Sequence, residues 1–218
     1  MTFRIFVAAA VAAVSMGAAA SAATLVNGSL TGPISNGGVP VGWTTLGGSP
    51  DTMDENNNVG AGTPFGVAPV GPSDDGGTWV GIASGTGAFQ EIFGQTINDF
   101  VIGQSYDLTF FAGNFGAETG PGYLADNAVT ASLDGTMVGM SDVLSLDENW
   151  YAQSITFMAT STSHVLSFGL TDAANSYLSI DGIALTPKDV TAPVPLPAGG
   201  MLLLTALGGI AIARRRKA

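Results

Sequence analysis

The 218-residue sequence contains no cysteine. This absence excludes disulfide bridges, thiol nucleophiles and metal sites built on thiolates. A domain of about 170 residues buries enough apolar surface to fold without such crosslinks. Calcium would be the natural substitute, because carboxylate and carbonyl oxygens, the ligands that it prefers, are abundant.

Basic residues are scarce between the two ends of the chain. All seventeen acidic residues lie between positions 51 and 189, where Lys188 is the one lysine or arginine, so this stretch has a net charge of −16. A surface with this charge repels nucleic acid and anionic lipid, and neither is expected as a partner. We expect cations, neutral glycans or water to contact this surface.

Histidine is also scarce, and His164 at the start of a predicted strand is the single example. A Ser-His-Asp triad would need this residue, and no G-x-S-x-G elbow supplies a nucleophile. A glycoside hydrolase with paired carboxylates is a distant alternative, since its two acids face each other across about 5–10 Å of a cleft. The sequence shows no sign of such a cleft, and we predict a protein that is not an enzyme.

Apolar runs are confined to the termini. Residues 1–22 place Arg4 before an apolar stretch and end in Ala20-Ser21-Ala22, which is the layout of a secretory signal peptide. Residues 198–213 form a second apolar run, which as a helix would span about 24 Å and fall short of a bilayer core of about 30 Å. It predicts a short transmembrane helix, a marginal permanent anchor, with the basic tail 214–218 on the cytoplasmic side.

The region between the ends, residues 23–188, reads as β-structure throughout. Short runs rich in β-branched and aromatic residues alternate with clusters of Gly, Asn, Asp and Ser, which predicts an all-β ectodomain, a jelly-roll β-sandwich. Nine strands are predicted: Leu25–Leu30, Trp43–Leu46, Thr78–Ala83, Phe89–Phe93, Ser105–Phe111, Ala128–Leu133, Tyr151–Met158, His164–Leu170 and Tyr177–Leu185.

Two details of this pattern concern individual strands and loops. Tyr106, Leu108 and Phe110 share one face of their strand and are predicted to face the core. The apolar alternation changes parity at Asp181-Gly182, which predicts a β-bulge. The stretch Gly47–Gly77 predicts long loops, with a short strand around Phe65–Val70.

At the C-terminus Val194-Pro195-Leu196-Pro197-Ala198 opens the apolar run, and Arg214-Arg215-Arg216-Lys217 follows it. With this order the C-terminus resembles the sorting signals of PEP-CTERM proteins in their VPLPA variant. The resemblance implies processing by exosortase, a membrane protease of Gram-negative bacteria that often make exopolysaccharide. It also implies transient tethering to the inner membrane, followed by delivery to the cell envelope, outer surface or extracellular matrix. The linker and motif occupy residues 189–197, and the matching residues are Val194, Pro195, Leu196, Pro197, Ala198, Arg214, Arg215, Arg216 and Lys217.

Four sets of residues in the ectodomain follow one another in a recognisable order: Leu25–Leu30 with Val39–Trp43, Gly103–Phe110, Trp150–Phe157 and Tyr177–Leu185. In these stretches the ectodomain resembles the galactose-binding-like jelly rolls found among carbohydrate-binding modules. In that family a structural calcium often lies between an acid of the opening motif and an Asp of the closing one. Asp181 matches the closing position as a metal ligand, but Leu30-Thr31 replaces the expected acid at the opening one.

A glycan-binding member of this fold would use exposed aromatic side chains, with Phe115 and Tyr123 beside the loop 116–122 as the best-placed candidates. Trp43 and Trp150 are further candidates, with core packing as the favoured alternative, and Trp79 and Tyr151 complete the aromatic set. Two functions stay open: a structural or adhesive surface protein, and a carbohydrate-binding module for exopolysaccharide that depends on calcium or acts without it.

Overall fold

The computed structural model describes residues 23–56, 64–69, 71–118, 122–171 and 173–188. The predicted signal peptide, the linker and sorting motif 189–197, the transmembrane helix 198–213 and the tail 214–218 lie outside the described residues. Within the described ranges, no helix is both long and apolar enough to cross a membrane.

The described residues form eleven β-strands and no α-helix. Their bounds are β1 Thr44–Gly47, β2 Asp51–Met53, β3 Trp79–Gly85, β4 Phe89–Gln90, β5 Ile92–Asn98, β6 Ser105–Gly113, β7 Val129–Leu133, β8 Thr136–Met140, β9 Tyr151–Met158, β10 Ser163–Leu170 and β11 Ser176–Pro187.

The strands build two antiparallel sheets, and the prediction of a jelly-roll β-sandwich is confirmed. One sheet has the order β1-β5-β10-β7-β8, and the other has the order β2-β3-β11-β6-β9 with β4 paired to β3. From β5 onward the chain crosses between the sheets at every connection except the β7–β8 hairpin. Each sheet therefore buries its inner face against strands that are distant in sequence.

The main core lies between the two sheets. Tyr106, Leu108 and Phe110 are all buried in it, as their alternation predicts. Phe168 stacks on Phe93 at 5.4 Å and meets the edge of Phe110 at the same centroid distance. Burial of an aromatic or aliphatic side chain of this size stabilises a fold by about 1.5–3 kcal/mol, so this layer supplies much of the stability.

A second apolar cluster, the outer layer, covers the opposite face of the β2-β3-β11-β6-β9 sheet. Its buried members are Met53, Trp79, Ala83, Ala117 and Tyr177, and partly buried Phe65, Tyr123 and Trp150 pack against them. The long stretch before β3 thus contributes to packing. Its predicted strand around Phe65–Val70 is not observed over the described residues 65–69.

Several strand predictions need correction. Leu25–Leu30 is a turn in which Asn27 and Leu30 have positive φ angles of 52° and 48°. The turn packs so closely against β11 that a Cβ on Gly28 would lie 2.0 Å from the Ile183 carbonyl oxygen. The turn therefore requires glycine at position 28. This requirement accounts for the glycine in the Leu25–Leu30 motif, although the motif does not form a β-strand.

The run Phe89–Phe93 was predicted as one strand but is divided at Glu91. β4 pairs with β3 in one sheet, while β5 begins at Ile92 in the other. Strand β8 was missed, although Asp134-Gly135, with φ angles of 50° and 79°, has the two positive φ values of a type I′ hairpin turn. β2 was missed because it has only three residues among turn formers.

The predicted β-bulge is confirmed. The register of β11 against β6 shifts between Asp181 and Ala184, and Gly182 has a φ of 57°. Asp181 is completely buried at this point. The bulge directs its carboxylate toward Ser73, in the stretch that leads into β3.

Candidate functional site

Two of the predicted glycan contacts are buried. Phe115 has no exposed surface, and its ring packs against Trp150 at 4.9 Å and Trp79 at 6.2 Å. The expectation that Phe115 meets a ligand is therefore corrected, because its ring completes the outer layer. Trp43 is 7% exposed, packs on Phe93 in the main core and donates from Nε1 to a backbone oxygen, so the core alternative holds for it.

The other two candidates are partly exposed. Trp150 leans on the outer layer and donates from Nε1 to the Gly71 carbonyl oxygen at 2.9 Å. Tyr123 packs on the same layer with part of its ring at the surface. Tyr123 lies near Phe89, a second aromatic residue with exposed surface, at Gly85.

Three side chains converge around Gly85 at the end of β3, and we call Gly85, Phe89, Tyr123 and Asn175 the Gly85 site. A Cβ on Gly85 would lie 3.2 Å from Asn175 Oδ1, 3.6 Å from Phe89 Cδ1 and 3.7 Å from Tyr123 Cε1. Phe89 is 40% exposed. Gly85 itself is buried, so these three side chains pack around it, and Phe89 and the partly exposed Tyr123 bring aromatic surface to the rim beside the Asn175 amide.

The residues next to Phe89 in the sequence determine where its ring lies. The turn Thr86-Gly87-Ala88 folds β4 back onto β3, with positive φ at Gly87 and Ala88 (84° and 64°). Gln90 Nε2 then donates to the Leu170 carbonyl oxygen at 3.0 Å. This bond ties β4 to the end of β10, so the Phe89 ring is held at the rim of the sandwich.

A buried network fixes the other two members of the site. Asn127 Nδ2 donates to Ser176 Oγ at 2.7 Å, and Ser84 Oγ donates to the Ala174 carbonyl oxygen at 2.8 Å. The Asn175 carbonyl oxygen accepts from the Ala125 amide at 3.0 Å. Because these bonds join the loop before β11 to the segment that carries Tyr123, the site is organised before any ligand arrives.

A pair of buried carboxylates, Asp51 and Glu91, lies under β3 and β4. Asp51 accepts from the Gly37 amide at 2.7 Å and from Tyr177 Oη at 2.8 Å. Glu91 accepts from the Ala83 amide at 2.8 Å and from Ser49 Oγ at 3.1 Å. Each of the four oxygens is thus engaged by the chain itself.

Burial controls the protonation of this pair. Removal from water raises the pKa of Glu91 to about 7, against the opposing effect of the Ala83 amide, and the neighbouring Asp51 raises it further. Burial also raises the pKa of Asp51. Such shifts also occur in catalytic carboxylates. Here the side chains are 3% and 5% exposed and fully hydrogen-bonded, so the geometry favours a structural pair over the distant hydrolase alternative.

Asp181, the predicted metal ligand, has one satisfied and one unsatisfied oxygen. Oδ2 accepts from Ser73 Oγ at 2.6 Å, whereas Oδ1 is buried without a partner. Burial raises the pKa of this carboxyl to about 7, and Asp75 adds to the rise. The orphaned oxygen suits a cation, but the described residues contain no group of three or more acidic, His or Cys side chains placed to hold one. A calcium role for Asp181 stays a prediction.

His164, near the start of β10, is buried. Its Nδ1 lies 2.6 Å from Asp134 Oδ2, and its Nε2 accepts from the Ser161 amide at 3.0 Å. The backbone amide of Val165 and this histidine lower the pKa of Asp134. Since both ring nitrogens are engaged in holding the turn before β10, His164 is not placed to act as a general base.

Comparison with known proteins identifies no family. No family model and no curated protein matches the chain. Similar solved structures include carbohydrate-binding modules of the jelly-roll type.

A CBM4 structure is 18% identical with a TM-score of 0.44, and the match covers 76% of this chain and 100% of that one. The CBM22-1 xylan-binding domain of Paenibacillus barcinonensis Xyn10C is 15% identical with a TM-score of 0.46, covering 78% and 97% of the two chains.

Larger proteins match over a part of their length. The enzymatically active domain of bacteriophage CBA120 tailspike protein 4 is 14% identical with a TM-score of 0.42, and the match covers 68% of this chain but 20% of that one. At these identities the likeness concerns the fold alone, and ligand and activity have to be argued from the residues themselves.

Sequence reasoning selected Tyr123 as a candidate glycan contact, which stays a prediction, and did not select the other members of the Gly85 site. Gly85, Phe89 and Asn175 stand in separate turns and match no motif. One signal was present in Gly85-Thr86-Gly87-Ala88-Phe89, where a turn with two glycines is followed at once by an aromatic residue. It indicates a tight hairpin with a ring at its rim.

Proposed function

We propose that the β-sandwich is a non-catalytic carbohydrate-binding module and that the Gly85 site contacts the glycan. The supporting observation is that exposed Phe89 and partly exposed Tyr123 both pack near buried Gly85, with the Asn175 amide beside them. One face of a pyranose ring is apolar and its rim carries hydroxyl groups. Aromatic rings with few convergent polar groups are the usual lining of sites for small ligands of this kind.

The charge of the chain restricts the glycan. A net charge of −16 between residues 51 and 189 repels uronic acids and sulfated sugars over a Debye length of about 8 Å at physiological ionic strength. The preorganised loops keep the entropic cost of binding low. A neutral polysaccharide is therefore the expected ligand of the Gly85 site.

Substitution of either ring should abolish most of the binding. A glycan array and calorimetry with the full chain should show a neutral oligosaccharide that binds to the wild type, and Phe89→Ala and Tyr123→Ala should each weaken it by about tenfold or more, equal to about 1.4 kcal/mol. Leu46→Ala is the matched control, since Leu46 is an exposed apolar residue on β1 in the other sheet. Unchanged affinity in both ring variants would contradict the proposal.

We further propose that the chain is exported and sorted through its C-terminal VPLPA motif to the cell envelope or extracellular matrix. The support is the order of Val194–Ala198, an apolar run and Arg214–Lys217 at one terminus, with a signal-peptide layout at the other. A structural or adhesive role is compatible with glycan binding, because a matrix protein is held in place by the polysaccharide it binds.

Intact-mass measurement tests the sorting proposal. Mature protein from a Gram-negative host with exosortase should end near Ala198 and start near Ala23, whereas a host without exosortase should retain Arg214–Lys217. A mature species that keeps the basic tail in both hosts would show that residues 198–213 act as an ordinary anchor. This result would leave the glycan proposal unaffected.

A further inference from the structure

An open groove of about 310 Å³ lies between the β8–β9 connection and the start of β9. Its wall includes Asp142, Val143, Asp147, Tyr151 and Gln153. Val143 is 68% exposed and Tyr151 is 40% exposed, so apolar surface and an aromatic ring face water here. This combination is separate from the Gly85 site, with which it shares no residue.

Gln153 supplies a directed donor to the groove. Its side chain is buried, with 7% of the residue exposed, and its Oε1 accepts from the Asp142 amide at 3.1 Å. That bond fixes the orientation of the amide, so the NH₂ group is the end left for a ligand. Nε2 has no hydrogen-bond partner among the described residues, yet it is not sealed from solvent. A buried glutamine that lines a groove with a free donor is a feature of a built site.

The groove also carries negative charge without a cation of its own. Tyr151 Oη donates to Asp147 Oδ2 at 2.5 Å, which holds the ring and one carboxylate together. The carboxylate of Asp142 has no hydrogen bond or ion pair with the described residues. Neither Lys188 nor His164, the basic residues within the described ranges, lines the groove.

We propose that this groove binds a sugar unit with a free amino group, such as the 2-amino-2-deoxyhexose of a deacetylated polysaccharide. The ammonium group pairs with Asp142 and Asp147, the apolar face of the sugar packs on Tyr151, and a hydroxyl oxygen accepts from Gln153 Nε2. An ammonium group beside carboxylates and an aromatic face gains Coulombic and cation–π energy together. An N-acetylated sugar has no charge to pair, and an acidic sugar is repelled.

The test compares two ligands and five forms of the full chain by calorimetry at mildly acidic pH. A fully deacetylated glucosamine hexamer should bind to the wild type, and the N-acetylated hexamer should bind at least about tenfold more weakly. Asp142→Asn and Tyr151→Ala should each weaken the glucosamine hexamer by about tenfold, because one removes the unpaired charge and the other the ring.

Two controls separate this proposal from weaker explanations. Asp99→Asn removes the same charge from an exposed turn residue with a φ of 67°, which asparagine tolerates, and should change affinity less than about twofold. Leu46→Ala, at an exposed apolar residue on β1, should also leave this binding unchanged. Because the Gly85 site is tested with a neutral oligosaccharide and the groove with the glucosamine hexamer, failure of either site gives a different result.

Three outcomes would overturn the amino-sugar assignment. Equal loss in Asp99→Asn and Asp142→Asn would mean non-specific attraction of a polycation. Equal affinity for the acetylated and the deacetylated hexamer would mean that the carboxylates do not bind the amino group. Competition by millimolar calcium that is abolished in Asp142→Asn would mean that the groove holds a metal ion instead.

Discussion

The free energy of unfolding is expected to be several kcal/mol higher at pH 5 than at pH 8. Glu91 and Asp181 are both buried, and burial raises the pKa of each to about 7. Neither forms an ion pair with a basic group in the described part of the chain, where the one recorded pair joins His164 to Asp134. Ionisation of either carboxyl at alkaline pH therefore places an uncompensated charge inside the fold.

The direction follows from proton linkage. In the unfolded chain the two carboxyls titrate near 4.5 and 3.8, so between those values and about pH 7 the folded state binds more protons than the unfolded state. The stabilisation is complete below the unfolded pKa values and is lost as the pH rises through about 7. With about 1.4 kcal/mol for each unit of pKa difference, each group contributes about 2–3 kcal/mol between pH 5 and pH 8.

Urea denaturation of the full chain across this pH range is the measurement, with Glu91→Gln as the decisive variant. Glutamine can accept from the Ala83 amide and donate to Ser49 Oγ, and it cannot ionise, although its NH₂ group cannot accept from the Ser49 amide as the carboxylate does. The variant should lose about half of the pH dependence and be more stable than the wild type at pH 8. A matched Glu118→Gln substitution at an exposed position should leave the profile unchanged. A wild-type profile that is flat or rises with pH would contradict the prediction.

Phe115→Ala should destabilise the protein by about 3–5 kcal/mol without acting directly on a glycan. The ring has no exposed surface and meets Phe65, Trp79 and Trp150 at centroid distances between 4.9 and 6.2 Å. Removal of six ring carbons at the centre of these contacts leaves a cavity that the flanking aromatic rings cannot close without shifting. Because Phe65, Trp79 and Trp150 all contact this ring, its loss loosens several members of the outer layer at once.

Phe89→Ala is the matched comparison for this variant. The same atoms are removed from a ring that is 40% exposed, and the expected loss of stability is below about 1 kcal/mol. Thermal unfolding measures both variants, while calorimetry with a neutral oligosaccharide measures binding. A reversed result, with a stable Phe115→Ala variant and an unfolded Phe89→Ala variant, would show that the two rings have been assigned the wrong roles.

The parts of the fold that could be predicted are those with a local pattern. The alternation of Tyr106, Leu108 and Phe110 specifies an inner face because every second side chain of a strand points the same way. The apolar alternation changes parity at Asp181, and this change likewise requires a bulge, whichever strands lie beside this one in the sheet. The crossover at Glu91 leaves no such mark, since two consecutive strands in different sheets can read as one apolar run.

The outer layer and the Gly85 site could not be predicted for a different reason. Phe65, Trp79, Phe115 and Trp150 come from four separate segments, and nothing local shows that the loops fold back over the sheet. Sequence reasoning therefore placed Phe115 at the surface. Tyr123 flanks the same loop but is partly exposed, so a rule that selects aromatic residues beside glycine-rich loops selects one buried residue and one that reaches the surface.

The segment 122–128 bonds to both candidate surfaces. It carries Tyr123 at one end, and its Asp126 accepts from Ser145 Oγ beside the groove. If both proposed sites bind, a polymer that carries neutral and amino sugars within reach of both gains avidity, because linking two contacts raises affinity by about 10²–10⁴. The same arrangement crosslinks two polymers when each occupies one site. Retention of the protein in a hydrated polysaccharide gel would then depend on the number of occupied sites more than on the affinity of either site.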